Sequence, residues 1–124
     1  MSIANYLEDK LLDLVFNATS YAGQATVYVK LHTGDPGEDC TGNAAVNTTR
    51  EAATFGASSG GAVSNDADVT WTNVSTSETY SHVSLWDAST AGNALWYGAL
   101  TVSKAVNAGD TFTIATGDLD VSID

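Results

Sequence analysis

The first sixteen residues carry apolar side chains at the spacing of a helix. The stripe recurs at intervals of four and three residues and consists of Ile3, Leu7, Leu11 and Leu14. Leu12, Val15 and Phe16 widen it, and acidic residues lie off it. The pattern predicts an amphipathic N-terminal helix over residues 1–17, with Ser2 as its N-cap. The stripe is therefore the first candidate interaction surface, the alternative being that it packs onto its own domain.

From residue 25 onward the period of apolar positions changes to two. Val27, Val29 and Leu31 alternate with polar or amphipathic residues, which is typical of a half-buried strand. Further strands, separated by turns rich in Gly, Asn and Asp, are predicted at 51–57, 67–73, 79–88, 94–102, 111–116 and 118–124. The stretch 38–49 has no period and is predicted to be a long surface loop, which could also supply contacts to a partner.

These elements predict a mainly β fold, because no second helical period appears after the first. The expected architecture is an antiparallel β-sandwich or jelly roll preceded by one N-terminal amphipathic α-helix. A chain of 124 residues is expected to form a single domain over 1–124. Within it, 1–17 form the helix and 25–124 the sandwich.

Charge narrows the possible partners. Four basic residues oppose fifteen acidic ones, which gives a net charge of −11. Nucleic acids and anionic membranes are therefore not expected as partners, because both attract Lys and Arg and repel acidic surfaces. No stretch has the composition of a signal peptide or a membrane span. The single cysteine cannot form an intrachain disulfide and suits folding in a reducing cytoplasm.

Candidate nucleophiles and bases are few. Cys40, His32 and His82 could act with a carboxylate such as Asp35 or Asp87. None of them lies in a recognisable catalytic signature, and His32 is expected to be solvated on the polar face of its strand. We predict no catalytic residues and no enzymatic activity.

Metal and sugar sites receive little support from the sequence. Aspartates that could offer oxygen ligands are Asp66, Asp68, Asp118 and Asp120, which leaves a weak surface calcium site open. No Cys/His cluster suits zinc and no glycine loop suits a phosphate, so no metal or cofactor is predicted. Aromatic residues that could form a sugar-stacking platform are Trp71, Tyr80, Trp86, Trp96 and Tyr97. Because each lies within an alternating strand, we expect them to fill the core.

Six segments together resemble a family of short virion proteins encoded by tailed bacteriophages. They are Asn5–Asp13, Ala25–Pro36, Arg50–Phe55, Val83–Ala88, Leu95–Leu100 and Gly109–Asp120, with sequences such as LHTGDP and VSLWDA. The resemblance spans nearly the whole chain. Members of this family carry descriptions that range from tail fibre to capsid decoration.

The resemblance implies a structural protein of the virion that is made in the host cytoplasm. Because the chain is short and has no repeat, the first hypothesis is a capsid decoration (cement) protein that binds and stabilises the assembled shell. Its partner would be the major capsid protein, and the resemblance implies self-association as a homotrimer. The alternative is a tail-fibre or tail-tip protein that contributes to host-surface recognition. A virion-associated hydrolase is the third hypothesis.

Overall fold

The computed structural model describes residues 1–123 and consists mainly of short strands. In chain order its elements are β1 (Ser2–Ile3), α1 (Asn5–Phe16), β2 (Val27–His32), β3 (Glu51–Ala53), β4 (Ala62–Ser64), β5 (Val69–Trp71), β6 (Glu78–Trp86), β7 (Ala94–Val106), β8 (Phe112–Ile114) and β9 (Asp120–Ser122). Asp124, the end of the last predicted strand, lies outside the described residues.

All strand pairs are antiparallel. Five strands form one sheet in the order β1-β7-β6-β2-β3, and two smaller sheets pair β4 with β9 and β5 with β8. The main hydrophobic core contains side chains from the large sheet and from both small ones. The prediction of a mainly β, antiparallel fold with one N-terminal helix is confirmed, and the layers are consistent with a sandwich.

Strand β2 shows how the alternating sequence builds this core. Val29 lies opposite Leu85 and Leu31 opposite Val83 on β6, and all four are buried. Such cross-strand apolar pairs are the basic unit of sheet stabilisation. The residues between them point to the other side of the sheet, where a smaller cluster forms around Ala4, Cys40 and Trp86.

A bulge between β6 and β7 changes which face some residues occupy. His82 pairs with Ala99 and Tyr80 with Lys104, so β7 holds three more residues than β6 over this interval (five steps against two). Strict alternation along β6 would place Tyr80 and Val83 on different faces of the sheet. Tyr80 is nevertheless fully buried in the same core as Val83.

The N-terminus differs from its prediction. Ser2 belongs to β1, which pairs with β7, and Ala4 is the N-cap of α1 without a side-chain capping bond. The helix therefore begins three residues after the predicted cap. A two-residue strand is too short to show a period, so the sequence pattern could not separate β1 from the helix.

The predicted surface loop at 38–49 is partly buried. Cys40, Ala45 and Asn47 are all buried, and the backbone of Ala45 donates to Leu31. The carboxylate of Glu78 accepts hydrogen bonds from the backbone amides of Val46 and Asn47. The segment thus packs along the large sheet, although it has no regular periodicity.

Candidate interaction surfaces

The predicted stripe on α1 divides into an inner and an outer part. Leu7 is buried, while Ile3 and Leu11 are half-buried, and α1 contacts β7. Leu14, the fourth residue of the stripe, is 42% exposed. The structure thus brings the first three residues against the chain's own β-layer and leaves the last one at the edge.

A second apolar face of α1 has no partner among the described residues. Leu12 is 55% exposed, Val15 69% and Phe16 76%. Positions i, i+3 and i+4 lie next to each other on a helix, so these three side chains form one patch, which we call the outer face. The sequence signal for it was the widening of the stripe, but periodicity alone does not reveal which side of a helix stays free.

An open groove lies between the outer edge of β7 and strand β8. Its volume is about 470 Å³, and its apolar lining includes Leu100, Phe112 and Ile114. Lys104 and Asp118 add charges of both signs. Val102, displaced by the bulge, borders it and is 77% exposed. Sequence reasoning missed this groove because its lining combines residues of β7, β8 and the start of the last segment, and their alternation gives no sign that they leave a space between them.

Basic side chains stack on aromatic rings on the outer side of the large sheet. The Arg50 guanidinium lies 4.0 Å and the Lys30 ammonium 5.5 Å from the ring centroid of Trp86. Arg50 also donates from Nη1 to the carbonyl oxygens of Ala88 and Ala91, at 2.9 and 2.7 Å. Burial, and then the nearby Arg50 charge, lower the pKa of Lys30. The contacts of Arg50 thus connect the start of β3 to the turn between β6 and β7.

The prediction that His32 is solvated is wrong. Its side chain is fully buried, and its Nδ1 lies 2.9 Å from the carbonyl oxygen of Gly42. Because a carbonyl only accepts, Nδ1 carries the proton and Nε2 accepts from the Ser84 hydroxyl at 2.7 Å. The Trp86 indole donates to the same hydroxyl oxygen at 2.8 Å. The Ser–His pair is thus part of a buried network, and Ser84 is closed to solvent.

The other candidate catalytic groups also have structural contacts. Cys40 is buried, and burial, followed by the charge of Asp39, raises the pKa of its thiol to about 12. Asp35 accepts from the Gly37 amide at 2.9 Å, and Asp87 accepts from the backbone and side-chain amides of Asn93. These carboxylates therefore shape turns.

The candidate metal-ligating aspartates hold strands and turns together. Asp68 accepts hydrogen bonds from the backbone and hydroxyl of Thr116, which lower the pKa of Asp68. Asp66 accepts from the hydroxyl of Thr54, and Asp120 from that of Ser64. Over residues 1–123 no three His, Cys, Asp or Glu side chains are grouped so that they could hold a metal ion.

The large aromatic residues mainly fill the interior. Trp71 and Tyr80 are buried and pack against Phe112, with ring centroids 5.6 and 5.2 Å apart. Trp71 also donates to the carbonyl oxygen of Thr49 at 2.9 Å. Trp86 is only 8% exposed. The expectation that these aromatics pack in the interior is therefore confirmed for Trp71, Tyr80 and Trp86.

In the part of the chain that the structure describes, no helix has the length and hydrophobicity needed to cross a membrane.

No curated protein matches the sequence. A comparison with protein families matches residues 2–122 to the family described as podophage GP4 fiber I protein gp80. Since the match covers nearly the whole chain, the protein belongs to this family of tailed-phage structural proteins.

Proposed function

We propose that the protein is a structural subunit of a fibre on a tailed phage particle. The observation that carries the proposal is the family match over residues 2–122, whose description names a podophage fibre protein. The subunit would act by assembly and not by catalysis. The burial of Ser84, His32 and Cys40 supports this second part of the proposal.

Two surface features suit an assembly role. The outer face of α1 exposes three large apolar side chains, and Val102 is exposed beside the groove, although Phe112 and Ile114 in the groove lining are largely buried. Soluble proteins seldom expose clustered large apolar residues unless a partner covers them. A subunit with two such surfaces can contact more than one neighbour.

Gold-labelled antibody on purified virions tests the location. Labelling along the tail fibres is the expected result, whereas labelling confined to the head would overturn the fibre proposal. Quantitative mass spectrometry of the same virions adds an independent count. A fibre subunit should be present in tens of copies or fewer, and hundreds of copies would indicate a shell protein.

Contribution to host-surface recognition is proposed only for the fibre as a whole. The buried Trp71, Tyr80 and Trp86 do not offer a stacking platform for sugars. We expect particles assembled without this chain to adsorb to host cells more slowly, because their fibre is incomplete. Unchanged adsorption would remove this part of the proposal.

Capsid decoration is the second candidate, and the outer face of α1 is the observation that favours it. A compact chain with one free apolar helix face could bind across subunits of the major capsid protein as a cement, as a monomer or as a homotrimer. Occupancy would then stabilise the assembled shell by mass action. In that case particles without the chain should lose DNA at lower temperature, and equal heat resistance would exclude the cement role.

A further inference from the structure

The apolar side chains exposed on this protein are concentrated at one place. Within residues 1–123, seven large hydrophobic residues are exposed, and four of them lie between Leu12 and Phe16, in the last two turns of α1. The remaining three are scattered: Val46, Val102 and Ile123. A concentrated patch of this kind marks a contact surface more reliably than single exposed residues do.

The chain itself leaves this patch open. The inner residues Leu7 and Leu11 already face the β-layer, so the helix cannot rotate to bury the outer face without exposing them. Asn17 ends the helix, and the residues that follow, 18–20, are exposed. Nothing downstream within the described residues folds back over Val15 and Phe16.

The surroundings of the outer face are negatively charged. Glu8, Asp9 and Asp13 lie on the same helix, and its last turn contains no basic residue. The carbonyl groups at a helix C-terminus add a partial negative charge. Lys10, the one basic residue of α1, lies 5.5 Å from the ring centroid of Tyr6. The patch is therefore apolar at its centre and acidic at its rim.

We propose that the outer face of α1 binds another virion protein whose contact surface is apolar at its centre and basic at its rim. This inference rests on the proposed role as a virion subunit and identifies the attachment surface. Charge complementarity selects the occupant. A second copy would bring an identical acidic rim and a further net charge of −11 against this one, which disfavours self-association through this face.

The test compares variants for incorporation into particles. A phage whose gene for this chain is interrupted is grown in cells that supply the chain, and copies per particle are measured by mass spectrometry. Leu12→Gln combined with Phe16→Gln removes the centre of the patch, and Glu8→Lys combined with Asp9→Lys reverses its rim. Ile123→Gln is the matched control, because Ile123 is 64% exposed, a value between those of Leu12 and Phe16, but lies just after β9 and outside both apolar surfaces.

We expect each α1 double variant to lower incorporation at least about tenfold, while the control stays at the wild-type level. Circular dichroism and thermal unfolding of each purified variant check that it folds. Wild-type incorporation of the folded α1 variants would overturn the inference but leave the virion role intact. Absence of the wild-type chain from virions would instead remove the proposed function, and the inference with it.

A photo-crosslinking amino acid at position 16 identifies the occupant. The expected product joins this chain to a different virion protein. A product that joins two copies of this chain would overturn the proposed occupant and assign the outer face to self-association.

Discussion

His32 illustrates how a single buried residue can make stability depend on pH. Burial is the largest cause that lowers its pKa from the ordinary value of 6.5, and the nearby Lys30 and His82 lower it further. Hydrogen bonding to the backbone of Gly42 and of Asn43 acts in the opposite direction and raises this pKa. The folded protein therefore holds this imidazole neutral at pH values where the unfolded chain already binds a proton.

The free energy of unfolding should consequently fall as the pH drops below about 6.5. Above that value the contribution is complete, and below it the unfolded state gains a proton first, at a slope of at most about 1.4 kcal/mol per pH unit. Urea unfolding between pH 5 and 8 measures the slope. His32→Gln should flatten it, because the variant has no imidazole at this position to bind the proton. Equal slopes in wild type and His32→Gln would contradict the assignment.

Cys40 provides a second test at the residue scale. Its side chain is fully buried, and a pKa of about 12 instead of 9.0 lowers the thiolate fraction about a thousandfold (three pH units). Iodoacetamide should therefore label it only when the protein unfolds. Ala22→Cys, in an exposed segment, is the control that should react rapidly in the folded state. Mass spectrometry measures the rate of labelling. Rapid labelling of Cys40 in the folded protein would contradict the prediction and show that the cluster around Cys40 opens.

At the scale of elements, Asn65 connects the segment after β4 to the turn between β8 and β9. Its amide nitrogen donates to the carbonyl oxygens of Ala67 and Ala115, and its oxygen accepts from the amides of Gly117 and Leu119. All four hydrogen bonds have lengths between 2.8 and 3.0 Å. The two small sheets are thereby joined through one buried side chain.

Asn65→Ala should destabilise the fold by about 2–4 kcal/mol, because it leaves several buried backbone groups without partners. Chemical denaturation measures the loss, and Gln24→Ala, at an exposed position, is the control that should change little. Hydrogen exchange should be fastest in the β8–β9 turn of the variant. A loss below about 0.5 kcal/mol would mean that water replaces the side chain in these contacts.

The elements also show what the sequence could and could not predict. Strands such as β2 and β6 were predictable because several alternating residues face one core. The short β1 and β4, with two and three residues, offer too few positions for a period. Tyr80 lies in the core as expected, but strict alternation did not indicate that it shares the core of Val83, because a bulge follows it in β6. On α1 the apolar residues were visible, but the division into inner and outer faces depends on β7, which is distant in sequence.

On the scale of the whole molecule, the excess of acidic residues determines the electrostatic contribution to stability. The net charge is −11, and the basic side chains Lys10, Lys30 and Arg50 all lie over aromatic rings. Folding brings the remaining like charges closer together, and this repulsion destabilises the compact state. Added salt should relieve it, because the screening length falls from about 30 Å at 0.01 M to about 8 Å at 0.15 M.

The melting temperature should therefore rise when NaCl increases from 0.01 to 0.15 M and then level off. Two variants with opposite effects on charge make the test specific. Glu8→Gln combined with Asp9→Asn removes two negative charges from exposed positions and should reduce the salt effect, whereas Lys104→Gln adds one net negative charge and should increase it. Differential scanning calorimetry measures all three proteins. A melting temperature that falls with salt in the wild type would show that attractive ion pairs outweigh the repulsion, and the acidic surface would then need a stabilising role within the fold itself.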